Sequence, residues 1–392
     1  MAAVTATALP AAPPGSPPYP PRPPVLRRAA PALLLYAGVR LLGLAALAGW
    51  AAVAGKSPHT LLSGRWDSLW YTRVAEHGYA YTLHLPGGRV HSDLAFFPLL
   101  PWLERWLSAV TPLHPADAGL AVGWLASLAA AWGIFAVGDR VYGRSAGIAL
   151  VALWAVLPTG IVQSMAYTES LFTALAAWAL YALLTGRWLW AGTLAALAGL
   201  TRPVGVAVVA AVWAVAVAEL LRDRRAWRTQ LRMLPGVLIA PLGWLGYVAW
   251  VGVRTGSLTG YLDVQGGWGN GFDGGLNFAR FIGRQLSTPP FAGGLGLLAA
   301  VALIGWLYTR CVRQGQPLPL LVYAGVVLAL ALTGAGYFGS KPRLLMPAFP
   351  LLLPIALALA RLRPRRTALI LTAAALASAV YGAFWLHGSG PP

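Results

Sequence analysis

The amino-acid sequence predicts an all-α, polytopic integral membrane protein with about eleven transmembrane helices. Three observations predict it. Of 392 residues, 58% are hydrophobic and only 10% charged, with a mean hydropathy of +0.65. Soluble domains carry nearer a quarter charged residues, so no soluble core can hide this much apolar surface. Apolar segments long enough for a hydrocarbon layer about 30 Å thick recur along the chain. The basic residues, finally, gather in alternate connections, as the positive-inside rule requires.

Residues 1–30 are dominated by Pro and Ala, with Arg22, Arg27 and Arg28 at the end, which reads as a disordered, Pro-rich cytoplasmic tail. Residues 31–388 then form a single transmembrane domain. Its first span, 31–54, is too long for a signal-peptide core, whose apolar run is usually about 7–15 residues. Further spans are expected at 118–138, 145–163, 168–185, 203–221, 233–253, 291–309, 318–336, 343–360 and 367–386, with a shorter segment at 188–200. With the N-terminus inside, the inner segments hold about 17 basic and 3 acidic residues and the outer ones about 11 basic and 8 acidic. The net charge of +18 is therefore a topology signal, and nucleic-acid binding is not read from it. The lone cysteine, Cys311, excludes an internal disulfide, and nothing suggests a cysteine metal cluster.

This threading turns two long loops outward, 55–117 and 254–290. The first is a polar island holding five of the eleven acids and five of the six histidines. Within it Trp66, Leu69, Trp70, Arg73, Val74 and His77 fall at helical spacing, and a second amphipathic stretch runs from Leu94 to Val110. Neither is long enough to span, so both are expected to lie in the interface. The second loop carries Gly266-Gly267-Trp268-Gly269-Asn270-Gly271, a mobile or tightly turned segment. No internal repeat is evident, which counts against transporter architectures that carry one.

Several ionisable residues stand at the outward ends of separate apolar segments: Arg65 and Asp67, Glu169, Arg202, and Lys341 with Arg343. Charge in or beside hydrocarbon is costly enough to suggest function. A carboxylate ringed by cations suits a reaction in which a hydroxyl loses a proton and a phosphate leaves. Each has a plainer reading. Asp67 caps an interfacial helix, Glu169 complements a helix dipole, and the cations anchor at head groups. Arg40, deeper in the first span, is read as structural. His77, His84 and His91 recur every seventh residue, but Pro86-Gly87-Gly88 breaks any helix joining them, so no metal site is expected. There is also no Asp-x-Asp pair and no phosphate loop, and no cofactor is expected.

The runs Arg65-Trp66-Asp67-Ser68, Ala75-Glu76-His77-Gly78-Tyr79 and Ala95-Phe96-Phe97-Pro98-Leu99-Leu100-Pro101 resemble the PIG-V family of membrane mannosyltransferases, which have the GT-C fold. Ala166-Tyr167-Thr168-Glu169-Ser170-Leu171-Phe172, Thr201-Arg202-Pro203-Val204-Gly205 and Leu345-Met346-Pro347-Ala348-Phe349-Pro350 extend the likeness over most of the chain. The resemblance implies an inverting transferase taking mannose from a polyprenyl- or dolichyl-phosphate carrier on the non-cytoplasmic face, with Asp67 at the position of the catalytic base. Arg65, Arg202, Lys341 and Arg343 are then candidates for the donor phosphate. Trp66, Tyr71, His91, Asp93, Tyr167 and Glu169 are candidates for positioning sugar or acceptor. The insertion-like Thr82 to Val90 and the His91-Ser92-Asp93 run depart from the family pattern. Expected partners are the lipid-linked donor, a glycolipid or glycan acceptor, membrane lipids and a possible partner subunit. The Arg-, Ala-, Gly- and Pro-biased composition points to a bacterial plasma membrane. The alternatives are a transporter or flippase of a lipid-linked sugar and a non-catalytic envelope scaffold.

Overall fold

A computed structural model describes residues 26–222, 227–388 and 390–391. Nearly all of the Pro-rich tail lies outside the described residues. The first helix, α1 (Leu26–Val53), nevertheless begins inside the stretch read as tail. The first loop follows as α2 (Pro58–Ser63), α3 (Asp67–His77), a hairpin of β1 (Thr82–His84) and β2 (Val90–Ser92), and α4 (Leu99–Val110). Then come α5 (Pro115–Tyr142), α6 (Arg144–Ala155), α7 (Thr168–Leu184), α8 (Trp188–Gly199), α9 (Val206–Arg222), α10 (Trp227–Ile239) and α11 (Leu242–Thr255). The second loop supplies α12 (Gly260–Gly267) and α13 (Leu276–Ser287). The chain closes with α14 (Ala292–Arg313), α15 (Leu318–Thr333), α16 (Lys341–Leu345), α17 (Leu353–Ala360) and α18 (Pro364–His387).

The chain is an all-α integral membrane protein. Each apolar segment read from the sequence meets a helix, but 145–163 leaves α6 at Ala155, 233–253 is divided between α10 and α11, and 343–360 between α16 and α17. Among the described residues, however, six helices are long and apolar enough to cross a membrane, with a seventh if the broken pair 338–345 and 349–360, bent by 75°, counts as one span. Four more apolar helices, α6, α7, α8 and α15, are shorter. Of these, α6 and α7 are largely buried among the others, where a helix need not match the full hydrocarbon thickness, while α8 and α15 keep exposed positions such as Trp190 and Leu330.

Breaks at membrane depth are allowed because side chains capture the freed carbonyls, which hydrocarbon cannot. Arg40 donates to the carbonyls of Ala155 and Gly160, at the end of α6, and so has the structural role its depth suggested. Around Pro347, Trp154 Nε1 donates to Met346 O at 3.2 Å and Tyr323 Oη to Pro347 O at 3.0 Å. These breaks matter because the chain that leaves them carries Tyr167 to Glu169 on one side and Lys341 to Arg343 on the other.

Helix α8 meets α10 and α11 backbone to backbone. A Cβ on Gly192 would stand 2.2 Å from Gly236 O, and one on Gly243 1.8 Å from Ala196 O. Only glycine permits that approach, the usual device for close helix packing in membranes. The hairpin of the first loop, with Thr82 opposite Ser92, is the one small sheet in the described residues and holds the stretch Thr82 to Val90.

Candidate active site

Asp67 opens α3 after a tight turn. Trp66, just before it, has φ 52° and ψ −124°, the only positive φ at a non-glycine residue among those described. Such a conformation costs about 1–3 kcal/mol and persists only when its surroundings impose it. Here Ser68 does so: Arg65 N donates to Ser68 Oγ at 3.1 Å, and Ser68 Oγ donates to Arg65 O at 2.6 Å. The Arg65 guanidinium lies 4.0 Å over the Trp66 ring.

From this turn a chain of alternating charges runs inward. Asp67 Oδ2 accepts from Arg343 Nη1 at 2.8 Å, Arg343 Nε is 3.2 Å from Glu169 Oε1, and the same oxygen is in ion-pair contact with Arg202 Nη1. Side-chain exposure falls from 26% at Asp67 to 8% at Arg343 and 1% at Glu169, then is 11% at Arg202. Two carboxylates and two guanidiniums balance, which is what makes four charges tolerable at this depth. Hydroxyls tie the chain to α3: Tyr167 Oη accepts from Asp67 N at 3.4 Å, Arg202 Nη1 donates to Thr168 Oγ1 at 3.3 Å, and Tyr71 Oη meets Thr168 Oγ1 at 3.1 Å. The Arg343 guanidinium also faces the Tyr167 ring at 5.0 Å.

Local sequence explains each placement. The residue before a proline is pushed to extended backbone, and Arg202, before Pro203, has φ −159° and ψ 156°, which turns it out of the helical path. Glu169 sits in the first turn of α7, where the helix dipole favours an acid. The Phe-Phe-Pro segment is latched to the Arg202 turn by Leu99 N, which donates to Leu200 O at 3.0 Å.

An apolar groove of about 680 Å³, walled by Tyr79, Pro98, Trp102, Leu200, Tyr247 and Trp250, opens at Leu200, two residues before Arg202. Its floor is the glycine-mediated contact of α8 with α11, and both Gly243 and Gly246 line it.

The other sequence candidates lie apart from this chain of charges. Arg65 donates Nη1 to Leu386 O at 2.8 Å and Nη2 to Gly388 O at 2.9 Å, capping the C-terminus of α18. Lys341 donates to Ala331 O and Gly334 O at 2.6 and 2.9 Å, with its ammonium 4.6 Å from the Phe278 ring centroid. Asp93 is buried and accepts from Ala80 N and Tyr81 N at 3.0 and 2.8 Å, which fixes the entry to the hairpin. His91 stacks on Trp268 at 4.0 Å between ring centroids. Burial there, with the Arg89 charge added, holds its imidazole below the ordinary value. Thr168 was not singled out from the sequence; its place beside Glu169 in a polar run was the available signal.

No family model matches the sequence, and no curated protein matches it. Solved structures do. ArnT from Cupriavidus metallidurans, in the apo state, is 16% identical with a TM-score of 0.50, covering 81% of this chain and 68% of its own. The same protein bound to undecaprenyl phosphate is 14% identical with a TM-score of 0.54, covering 90% of this chain and 74% of its own. The fold is GT-C. In this GT-C fold the first loop, with Asp67 on α3, sits over the ends of the membrane helices that deliver Glu169, Arg202 and Arg343.

Proposed function

We propose that the protein is a glycosyltransferase that moves a mannosyl residue, or a closely related hexosyl residue, from a polyprenyl-phosphate donor to a lipid or glycan acceptor. The observation that carries this reading is the polarity of the buried charge chain. It ends in a partly exposed carboxylate, Asp67, and begins at a guanidinium, Arg202, two residues after Leu200 in the wall of an apolar groove. The undecaprenyl phosphate held by the structurally similar ArnT supports a donor of this chemistry, as does the PIG-V resemblance of the Arg65–Ser68 and Phe96–Pro101 runs.

In this mechanism an acceptor hydroxyl attacks the anomeric carbon of the donor sugar. The new C–O bond forms opposite the departing phosphate, so configuration inverts. Asp67 takes the hydroxyl proton, and the C1–O bond to phosphate breaks with its electron pair going to the lipid phosphate. Arg202 and Arg343 stabilise that developing charge, as preorganised cations do in a dry site. Arg65 and Lys341, occupied with backbone carbonyls, shape the site instead of meeting phosphate. Glu169 holds the two arginines, while Tyr167, Tyr71 and Trp66 shape the space around Asp67. The polyprenyl chain lies in the groove along Tyr79 and Tyr247. The site faces away from the cytoplasm, at the surface of a bacterial plasma membrane, with the N-terminus inside.

The test is direct: purified protein is incubated with labelled polyprenyl-phosphate mannose and an acceptor extract. Label is expected to move to a new product. Donor crossing the bilayer of reconstituted vesicles with no new product would instead favour a flippase.

A further inference from the structure

The second outer loop, read from the sequence as mobile or tightly turned, is tied down at both ends, and no step above uses it. At the near end Trp268 donates Nε1 to Ser92 O at 2.9 Å and meets Trp70 of α3 at 4.8 Å and Phe96 at 5.2 Å, both nearly perpendicular. His91 stacks on its face. Gln265 Nε2 donates to Ala95 O at 3.2 Å, and Asn270 Nδ2 donates to Gln265 Oε1 at 3.0 Å, which holds the turn after α12 against the first loop. The backbones come so close there that a Cβ on Gly267 would stand 2.3 Å from Val90 O.

At the far end the same strap pairs with the chain between α15 and α16. Ala335 N donates to Gly271 O at 2.7 Å, Gly275 N donates to Thr333 O at 3.0 Å, and Phe272 forms an antiparallel bridge with Gly334. Lys341 grips this segment as well, through Ala331 O and Gly334 O. Arg343 follows two residues later. Residues 265–275 thus join the loop that carries Asp67 to the segment that carries its partner.

Resting on the glycosyl-transfer reading, we propose that Trp268 is a positioning residue for the base, the 265–275 strap bracing α3 against the segment before α16 so that Asp67 and Arg343 keep their contact. Asp67 and Arg343 are 276 residues apart in sequence, so their 2.8 Å hydrogen bond depends on how these two segments are held. Trp70 lies three residues after Asp67 on α3, one helical turn along, and the Trp268 ring bears on it. Trp268 therefore acts through Trp70 and not on substrate. A displacement of about 1 Å by a change far from the chemistry can cost about 100-fold in rate, so a brace of this kind has catalytic weight.

The experiment uses the full chain in lipid nanodiscs, with labelled polyprenyl-phosphate mannose as donor and an acceptor extract. Trp268→Leu is expected to lower kcat about tenfold or more, with donor KM within about twofold. In an Asp67→Asn background the same substitution is expected to cost less than about twofold, because the group it positions is already gone. Gly267→Ala, whose Cβ must push α12 away from Val90 O, is expected to repeat both results and takes over should Trp268→Leu not fold. An equal loss in both backgrounds, or unchanged kcat in both variants, overturns the proposal while leaving the transferase reading intact. Should the wild type transfer no label, the transferase reading fails by itself and amide hydrogen exchange still decides the brace. Faster exchange in the variant across both 67–77 and 333–345, with 168–184 unchanged, supports it. Faster exchange in neither or only one of those two segments, or throughout the chain, overturns it.

Discussion

Asp67→Asn separates the chemistry of the site from its architecture. The substitution keeps shape and removes one negative charge from a side chain 26% exposed, together with the charge in its 2.8 Å contact with Arg343. Arg343 is not stranded, because Glu169 remains 3.2 Å away. What is lost structurally is the difference between a charge-assisted and a neutral hydrogen bond, about 1 kcal/mol. For a chain of this size that moves the thermal midpoint by no more than about 4 °C. The chemical loss is larger. A general base contributes about 10²–10⁴-fold, so at about 1.36 kcal/mol per decade at least about 2.7 kcal/mol of barrier returns. The assay is transfer from labelled polyprenyl-phosphate mannose at saturating donor and acceptor, beside a thermal melt of the same preparation. Turnover at the wild-type rate refutes Asp67 as base. So does a rate loss matched by an equal loss of folded protein.

Arg202→Ala removes the guanidinium two residues after Leu200 of the groove wall, and KM for the lipid donor is expected to rise about tenfold or more while acceptor KM changes less; equal changes in steady-state kinetics would mark a structural arginine. Glu104 of α4 is fully buried with neither oxygen partnered, and desolvation, with Glu76 adding like charge, raises its carboxyl well above the ordinary value of 4.5. An acid whose proton is held more tightly when folded makes stability fall as pH rises through the range between its unfolded and folded values. Glu104→Gln is therefore expected to flatten that decline, and melts from pH 4 upward that run parallel to wild type would refute it. Gly243→Val places its Cβ against Ala196 O, a backbone atom that cannot rotate away. Overpacking of this kind costs about 1–3 kcal/mol, read as a lower midpoint and poorer yield of folded protein.

Much of the architecture was legible because it rests on composition and period. Hydropathy located each apolar segment, and i, i+3, i+4 spacing located α3. It also found α4, although that helix starts at Leu99, after Pro98, and not at Leu94. Span number was less legible, since helices such as α8 are apolar but short and a sequence does not show which are shielded by neighbours. In the site, Asp67, Glu169, Arg202 and Arg343 stood out because ionisable groups beside apolar runs are rare. Nothing in the chain separates Arg343 from Lys341 or Arg202 from Arg65. All four are cations next to hydrocarbon. Their division into two that meet carboxylates and two that meet carbonyls depends on contacts across up to 323 residues, such as Arg65 with Gly388. The brace through Trp268 was hidden for the same reason, because the two outer loops meet only in space.

The order of the four charges adds a constraint that their number alone does not. A neutral set of two acids and two arginines could alternate in either direction. Running Arg202, Glu169, Arg343, Asp67, it has a guanidinium at the end that follows Leu200 of the groove wall and a carboxylate at the more open end. A transfer from a lipid phosphate to a hydroxyl needs that polarity, with cationic character where the phosphate leaves and a proton acceptor where the hydroxyl arrives. The reverse order would set a carboxylate against the departing phosphate and a cation against the attacking oxygen, opposing the charge that develops at each. Lysine does not replace Arg343, because Arg343 contacts Asp67 through Nη1 and Glu169 through Nε at once. A single ammonium on a flexible stem lacks that fork. The guanidinium is thus what lets one buried cation hold Glu169 on one edge and the more exposed Asp67 on the other.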